Sequence, residues 1–448
     1  MPMDTNHCEE IFELAARHAR AQGVPDVEAL IGWHTSALTR FANNAIHQNV
    51  AERTGWLSLR VLWEGRTARA GTNRLDGESI RRAVEEAIAL ARVQEPDADL
   101  PPLAEPAALT PVERHFADTA AVTPQERARA VADAIAEVRA AGQTAAGIYS
   151  TSDSLTAVLN SRGVDARHAE TMAQFSVTAM ARDSSGWAKA TACHHRGLDP
   201  VALARTAAGK AAASAAPLEL PPGRYTAILE PAAVLDLAGQ MFGDFSATAI
   251  RDGRSFLAER IGRKVFGENI RILDDVYHAL QAGAPFDSEG VPRRKLSLVE
   301  NGVVREVAYS RQAARLAGVS PTGHGFPVPN EYGEAPMNPV IEGGSTSLEE
   351  MIRSTARGIL VTRVWYVREV DPSEKILTGM TRDGTFLIED GRIARGVRNF
   401  RFNVSLLEML SSVEALSPAV RSSGEEAFDM VAPAMKVSAF PFAAVTRF

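Results

Sequence analysis

Between residues 9 and 22, Ile11, Leu14, Ala15 and Ala19 recur at three- and four-residue spacing, which predicts an amphipathic helix. Apolar runs at 27–31 and 57–63 predict strands. Glu64-Gly65 between SLRVLW and RTARAG predicts a hairpin turn with a left-handed glycine. Ile80, Val84, Ala87, Ile88 and Ala91 predict a second helix over 79–93. Thr123, Pro124 and Glu126 form the signature of a capping box with proline at the first helical position. The helix they open is expected to reach about 141, stopped by Gly142. Strands are expected at 155–159, 175–181 and 187–193, with a hairpin at Arg162-Gly163. An alanine-rich helix follows from Asp199-Pro200 to about 215.

The remainder of the chain reads as hairpins. Asn301-Gly302 joins LSLVE to VVREVAY, and Asp390-Gly391 joins TFLIE to RIARGV. Such pairs suit type I′ turns, which need positive φ at two successive residues. Ser347 and Glu350 predict a capped helix ending near 358, and another helix is expected at 404–414. Strands and helices do not alternate strictly, so the fold class is α+β. An N-terminal helix and antiparallel-sheet domain is expected, followed by a hairpin-rich β domain with a few helices. The proline- and acid-rich stretch 95–111 reads as a linker or surface loop. PLELPPGR at 217–224 is the main break. The expected domains are therefore 1–218, built from helix–sheet segments at about 1–98 and 117–216, and 219–448.

Composition narrows the function. With 448 residues, 45% apolar and 23% charged, the chain is that of an ordinary globular protein of two or three domains. A net charge of −7 argues against a nucleic-acid partner. Two cysteines, Cys8 and Cys193, exclude a disulfide framework and fit a reducing compartment. The start MPMDTNHCEE has no signal-peptide pattern and no apolar run is long enough to span a bilayer, so a cytoplasmic, membrane-free protein is expected.

Most catalytic templates are missing. The sequence has no G-x-S-x-G elbow and no P-loop, and Gly323-His324-Gly325 lacks the rest of a dinucleotide fingerprint and reads as a turn. No histidine pair has the H-E-x-x-H spacing. On a strand, Cys193 and His195 would share a face and could begin a soft-metal site. A polar strand tip is the blander reading. Asp274, Asp275 and His278 form a second cluster, readable either as ligands or as a solvated turn. Asp287 and Glu289 lie in the rigid loop PFDSEGVP.

The order and spacing of several segments resemble the TldD/PmbA family, which has also been labelled modulator of DNA gyrase. These segments include TRFANNAIHQNVAERTGWLSLRVLWEGRTARAGTN, NSRGVDARHAETMAQFSVTAMARDSSGWA, PPGRYTAILEPAAVLDLAG, APFDSEGVPRRKLSLVENGVV and FLIEDGRIARGV. The resemblance covers nearly the whole chain. It implies a protease assembly in which a TldD-type subunit carries an H-E-x-x-x-H zinc helix and a late cysteine. A PmbA- or TldE-type subunit lacks both and pairs with it around unfolded or leader peptides. The zinc helix would fall in AAVLDLAGQMFGDF, 232–245, which has neither histidine nor glutamate. Asp236 and Met241 stand near the expected ligand positions, and Ser422, Ser423 and Gly424 near that of the cysteine.

The resemblance therefore implies no metal and no catalytic residue in this chain, with zinc in a TldD-like partner. Asp244, Asp287, Glu289 and His324 are candidate peptide-binding or chamber residues, because they sit in polar loops bounded by glycine or proline. Extended peptide would add to an exposed sheet edge, which the hairpin-rich segment is expected to supply. Two alternatives stay open: a homodimeric peptide-binding protein, and a hydrolase with a cryptic metal site drawn from Cys193, His195, Asp274, Asp275 and His278.

Overall fold

The computed structural model describes residues 5–446. Helix α1 (Thr5–Ala21) leads into strands β1 (Asp26–Ala42), β2 (Ala45–Trp63) and β3 (Arg66–Thr72), then helix α2 (Gly77–Val93). A long connection reaches the short α3 (Ala117–Ala120) and α4 (Pro124–Ala140). Strands β4 (Thr144–Asn160), β5 (Asp165–Met180) and β6 (Ser185–Ala192) follow, then α5 (Pro200–Ala213). The six strands form one antiparallel sheet in the order β3-β2-β1-β4-β5-β6. The two helix–sheet segments are thus joined by the β1–β4 pairing.

Alternation explains the layering. Val27, Ala29 and Ile31 of β1, with Leu57, Leu59 and Val61 of β2, bury one face against α1 and α2. The opposite face meets the rest of the protein, where Leu30, Val158 and Ala166 pack with Phe286. Thr123 caps α4 in a reciprocal capping box with Glu126, and Asp199 caps α5. Asn301-Gly302 and Asp390-Gly391 both turn with positive φ at the two residues, as type I′ geometry requires.

Two more sheets make up the C-terminal half. A six-stranded sheet of short strands includes Leu296–Glu300 and Pro339–Ile341. In a seven-stranded sheet, Gly223–Leu229 lies between Arg357–Asp371 and Met435–Val445. Arg357–Asp371 also pairs with Ile376–Glu389, closing that sheet on itself. Closure removes the edges of that ring, and the edge strands left in this half are short, Val303–Val304, Val420–Ser422 and Arg392–Gly396 among them. The long free edge lies instead in the N-terminal sheet. Among the described residues, 45–56 of β2 pair with β1 alone, because β3 reaches only to Leu57.

Several elements differ from expectation. Strand β1 runs eleven residues beyond 31, through a mixed stretch that is largely half-exposed but buries Thr39 and Phe41. The helix opened by Ser347 ends at Arg353, and Gly358 lies inside a strand. The helix expected at 404–414 is only Leu406–Ser411, held between two strands.

Candidate functional site

Strand Gly223–Leu229 delivers the chain into helix α6 (Pro231–Ala238), with Pro231 at its first turn. Ala233, Val234, Leu235, Leu237 and Ala238 are all buried, so the helix is enclosed nearly all round. Asp236 is its one charged residue and is 0% exposed. Its Oδ1 accepts hydrogen bonds from the backbone N–H groups of Glu425 (3.1 Å), Glu426 (2.9 Å) and Ala427 (3.1 Å). Oδ2 accepts from Glu425 as well, at 3.2 Å. Burial pushes the Asp236 carboxyl up to about 6, against the opposing pull of those N–H donors.

Gly424 makes this approach possible. A Cβ placed there would sit 2.0 Å from Asp236 Oδ1. The loop is held from outside too. Lys189 donates to the Gly424 carbonyl at 2.6 Å, and Glu426 accepts from Tyr366 N at 2.6 Å and from Arg368 at 3.0 Å. The two regions expected from the sequence, around Asp236 and around 422–424, therefore do meet. Met241 does not join them; it is fully buried in the main apolar core.

This donor set does not fit zinc. A zinc centre needs about three lone-pair donors converging on one point. Here three backbone N–H groups aim their positive ends at the only carboxylate on the helix. Residues 231–245 and 422–427 offer no imidazole and no thiolate. The three remaining carboxylates are engaged, Asp244 with Lys375, Glu425 with Lys189 and Glu426 with Arg368.

A second buried polar centre lies in the seam between the N-terminal sheet and the C-terminal half. Asp287 Oδ1 accepts from the N–H groups of Glu289 and Val291, both at 3.0 Å, and Oδ2 from Gly325 at 2.8 Å. It organises its own loop and pins the 323–325 turn against it. Burial, then the Glu289 charge, drive its carboxyl up to about 7. Glu289 faces the sheet, with Arg60 at 3.3 Å and Arg311 at 3.2 Å. Arg60 also faces Glu28 at 3.6 Å, and Glu28 pairs with Arg69 at 2.7 Å. Arg69 in turn donates to the Val328 carbonyl at 2.8 Å. Glu289 lines a cavity of about 330 Å³ with Thr67, Asp97, Thr248, Arg251 and Asn330.

His324 is buried beside this seam. Its Nε2 lies 2.9 Å from Asp274 Oδ1 and its Nδ1 2.9 Å from Thr322 Oγ1, while Asp274 Oδ2 accepts from Asn338 N at 2.7 Å. Asp244 lies apart, bonded to Lys375 at 2.5 Å and to Phe256 N at 3.3 Å. Burial raises its carboxyl and Lys375 opposes the rise. Asp287, Glu289 and His324 are thus brought together, whereas Asp244 is not.

The sequence clusters are rearranged. Strand β6 stops at Ala192, so Cys193 and His195 do not share a strand face. Cys193 is half-buried, and burial raises its thiol above the ordinary range. His194 and His195 turn instead toward Asp118. Asp274 serves His324, Asp275 pairs with Lys295 at 3.2 Å, and His278 Nδ1 accepts from Leu280 N. Sequence reasoning passed over Glu28, Arg60 and Arg69. Glu28 and Arg60 had a signal, a charge inside each apolar run, VEALI and LSLRVLW, and β1–β2 register places them directly opposite each other; Arg69, in RTARAG, had none.

Comparison with known proteins places these regions in context. Residues 27–91, 118–215 and 222–444 match the first, central and C-terminal domains of the PmbA/TldA metallopeptidases. A metalloprotease of Methanothermobacter thermautotrophicus is 27% identical over 291 residues, covering 61% of this chain and 62% of that protein. The chain thus spans less than two thirds of the length of that relative. The solved structure of TldE from Thermococcus kodakarensis shares the fold, with a TM-score of 0.86 at 21% identity, covering 97% of this chain and 100% of that one. A Thermotoga maritima protein, described as a candidate modulator of a DNA gyrase, has the same TM-score of 0.86 at 22% identity and the same coverages.

Proposed function

The chain belongs to the PmbA/TldD metallopeptidase family, and from that premise we propose that it is the metal-free subunit of a peptidase complex. A TldD-like partner supplies the zinc and the hydrolytic water. This chain completes an enclosed space around an unfolded or leader peptide. The observation that carries the reading is the Asp236 cradle. Where the catalytic branch would hold a cation, this chain closes a loop through backbone N–H donors onto a lone carboxylate.

Peptide capture needs a strand edge or a polar groove. The free edge of β2 over 45–56 and the cavity beside Glu289 are the two places suited to it. The test is a reconstitution. The purified chain and a TldD-like chain are assayed for peptide cleavage separately and mixed, with size-exclusion chromatography of each. Cleavage that needs both chains, in a co-eluting heterodimer, supports the proposal. A partner that cleaves equally well alone, or a chain that elutes only as a homodimer beside it, overturns it.

A further inference from the structure

We propose that Asp118, His194 and His195 form a divalent transition-metal site on the central segment of the chain, distinct from the Asp236 region. One ligand atom from each residue lies within 4.8 Å of the others. His194 Nε2 is already 3.0 and 2.9 Å from the two Asp118 oxygens. Zinc bonds of about 2.0–2.1 Å in tetrahedral geometry place donor atoms about 3.3 Å apart. Small side-chain rotations therefore suffice to admit the ion. Two imidazoles with one carboxylate suit zinc, cobalt or nickel, and poorly suit calcium or magnesium, which prefer all-oxygen sets.

The fold builds this convergence. Strand β6 ends at Ala192 and the chain tightens into a 3₁₀ turn at His195–Gly197, which swings both imidazoles to one side. Thr171 ties the neighbouring segments together: its Oγ1 donates to the Cys193 carbonyl and accepts from Phe116 N. The Phe116 ring lies 4.7 Å from that of His194 and restrains it. Thr119 Oγ1 receives the His195 backbone N–H at 2.9 Å and lies 3.4 Å from its Nδ1. Such outer contacts orient a ligating histidine.

The charged neighbours set the competition. Arg196 reaches Asp118 Oδ2 at 3.2 Å, but its side chain is 72% exposed and free to leave for solvent. Glu126 lends its field to His195, although its carboxylate is engaged by Thr123 in the capping box. All three ligands are partly exposed, so an ion can enter. Bound there, it would clamp the connection after α2 to the end of β6, with one coordination position open to water. Binding would weaken toward acid, where protons compete for the imidazoles.

The test uses the full chain stripped of metal by a chelator. Cobalt(II) is titrated by visible absorption and zinc by calorimetry. One ion per chain is expected, with affinity falling at least about 100-fold in Asp118→Asn and His194→Ala and unchanged in His34→Ala. Circular dichroism checks that the variants fold. In the unsubstituted chain, cobalt is expected to protect His194 and His195 from diethylpyrocarbonate. No saturable binding, variants that bind as tightly as the parent, or unprotected histidines would each overturn the site.

Discussion

Asp236 and Glu289 are both buried carboxylates, yet they are satisfied in opposite ways. Asp236 meets only backbone N–H groups from one loop. Glu289 meets the side chains of Arg60 and Arg311 from two different parts of the molecule. The first arrangement also joins segments far apart in the chain, but it is free of formal positive charge. The second couples distant segments through charges that cannot be left alone once buried. Position in the fold does not reveal which carboxylate serves chemistry and which serves cohesion; the donors around each do. A carboxylate already bonded to three amides has little left to offer a cation, while one between guanidinium groups fastens two layers together.

The largest break in this comparison is Arg60→Met. It would leave Glu28 and Glu289 facing each other without their shared cation, and both are essentially unexposed. A loss of about 3–5 kcal/mol in denaturant unfolding is expected. Adding Glu289→Gln should recover part of it, because the two sites are coupled. A loss below about 1 kcal/mol would mean that the seam contributes little.

Next in size is Asp236→Ala, which strips three amides of their acceptor. About 1–3 kcal/mol is expected, with hydrogen exchange accelerating at residues 425–427 and unchanged in β1 and β2. Exchange that rises equally in both regions would show that the two centres are not independent. Gly424→Ala should mimic the local effect, since its methyl group meets Asp236 Oδ1 at 2.0 Å. A milder loss is expected where the loop shifts outward to relieve the clash.

The last break is in pH dependence. Asp236 and Asp287 are raised from 3.8 to about 6 and about 7. Between those values and 3.8 the folded protein holds protons that the unfolded chain has released. Stability contributed by these groups is thus fully present below about 4 and falls as pH rises toward 7. Asp236→Ala should about halve the slope between about 4 and 6, where both groups contribute, and leave the part between about 6 and 7, which belongs to Asp287. Unfolding midpoints in a buffer series from pH 4 to 8 would read this directly. An unchanged slope in the variant would remove Asp236 from the account.

Local chemistry was the legible part of the sequence. Both capping boxes, at Thr123/Glu126 and Ser347/Glu350, and the Asn301-Gly302 and Asp390-Gly391 turns form as written, because each depends on residues within four positions. Extents were harder. The helix from Ser347 stops at Arg353 because the following residues are drawn into a buried strand paired with Gly223–Leu229, a partner over a hundred residues away. At the candidate site, the missing histidines could be read, and so could the neighbourhood of Asp236 and 422–424. The cradle itself could not, since backbone N–H groups carry no residue identity. The seam was hidden for another reason. Glu28 and Arg60 look like solvent-facing strand residues until the C-terminal half covers that face of the sheet.

The central claim is that the catalytic metal of this family has no seat at Asp236 and belongs to a partner. The most direct measurement is peptide cleavage by the chain alone, by a TldD-like partner alone and by the mixture, each with the parent chain and with Asp236→Ala. The account predicts cleavage only in the mixture, surviving the substitution because Asp236 binds a loop and not an ion. Cleavage by this chain alone, abolished by Asp236→Ala and by a chelator, would contradict it.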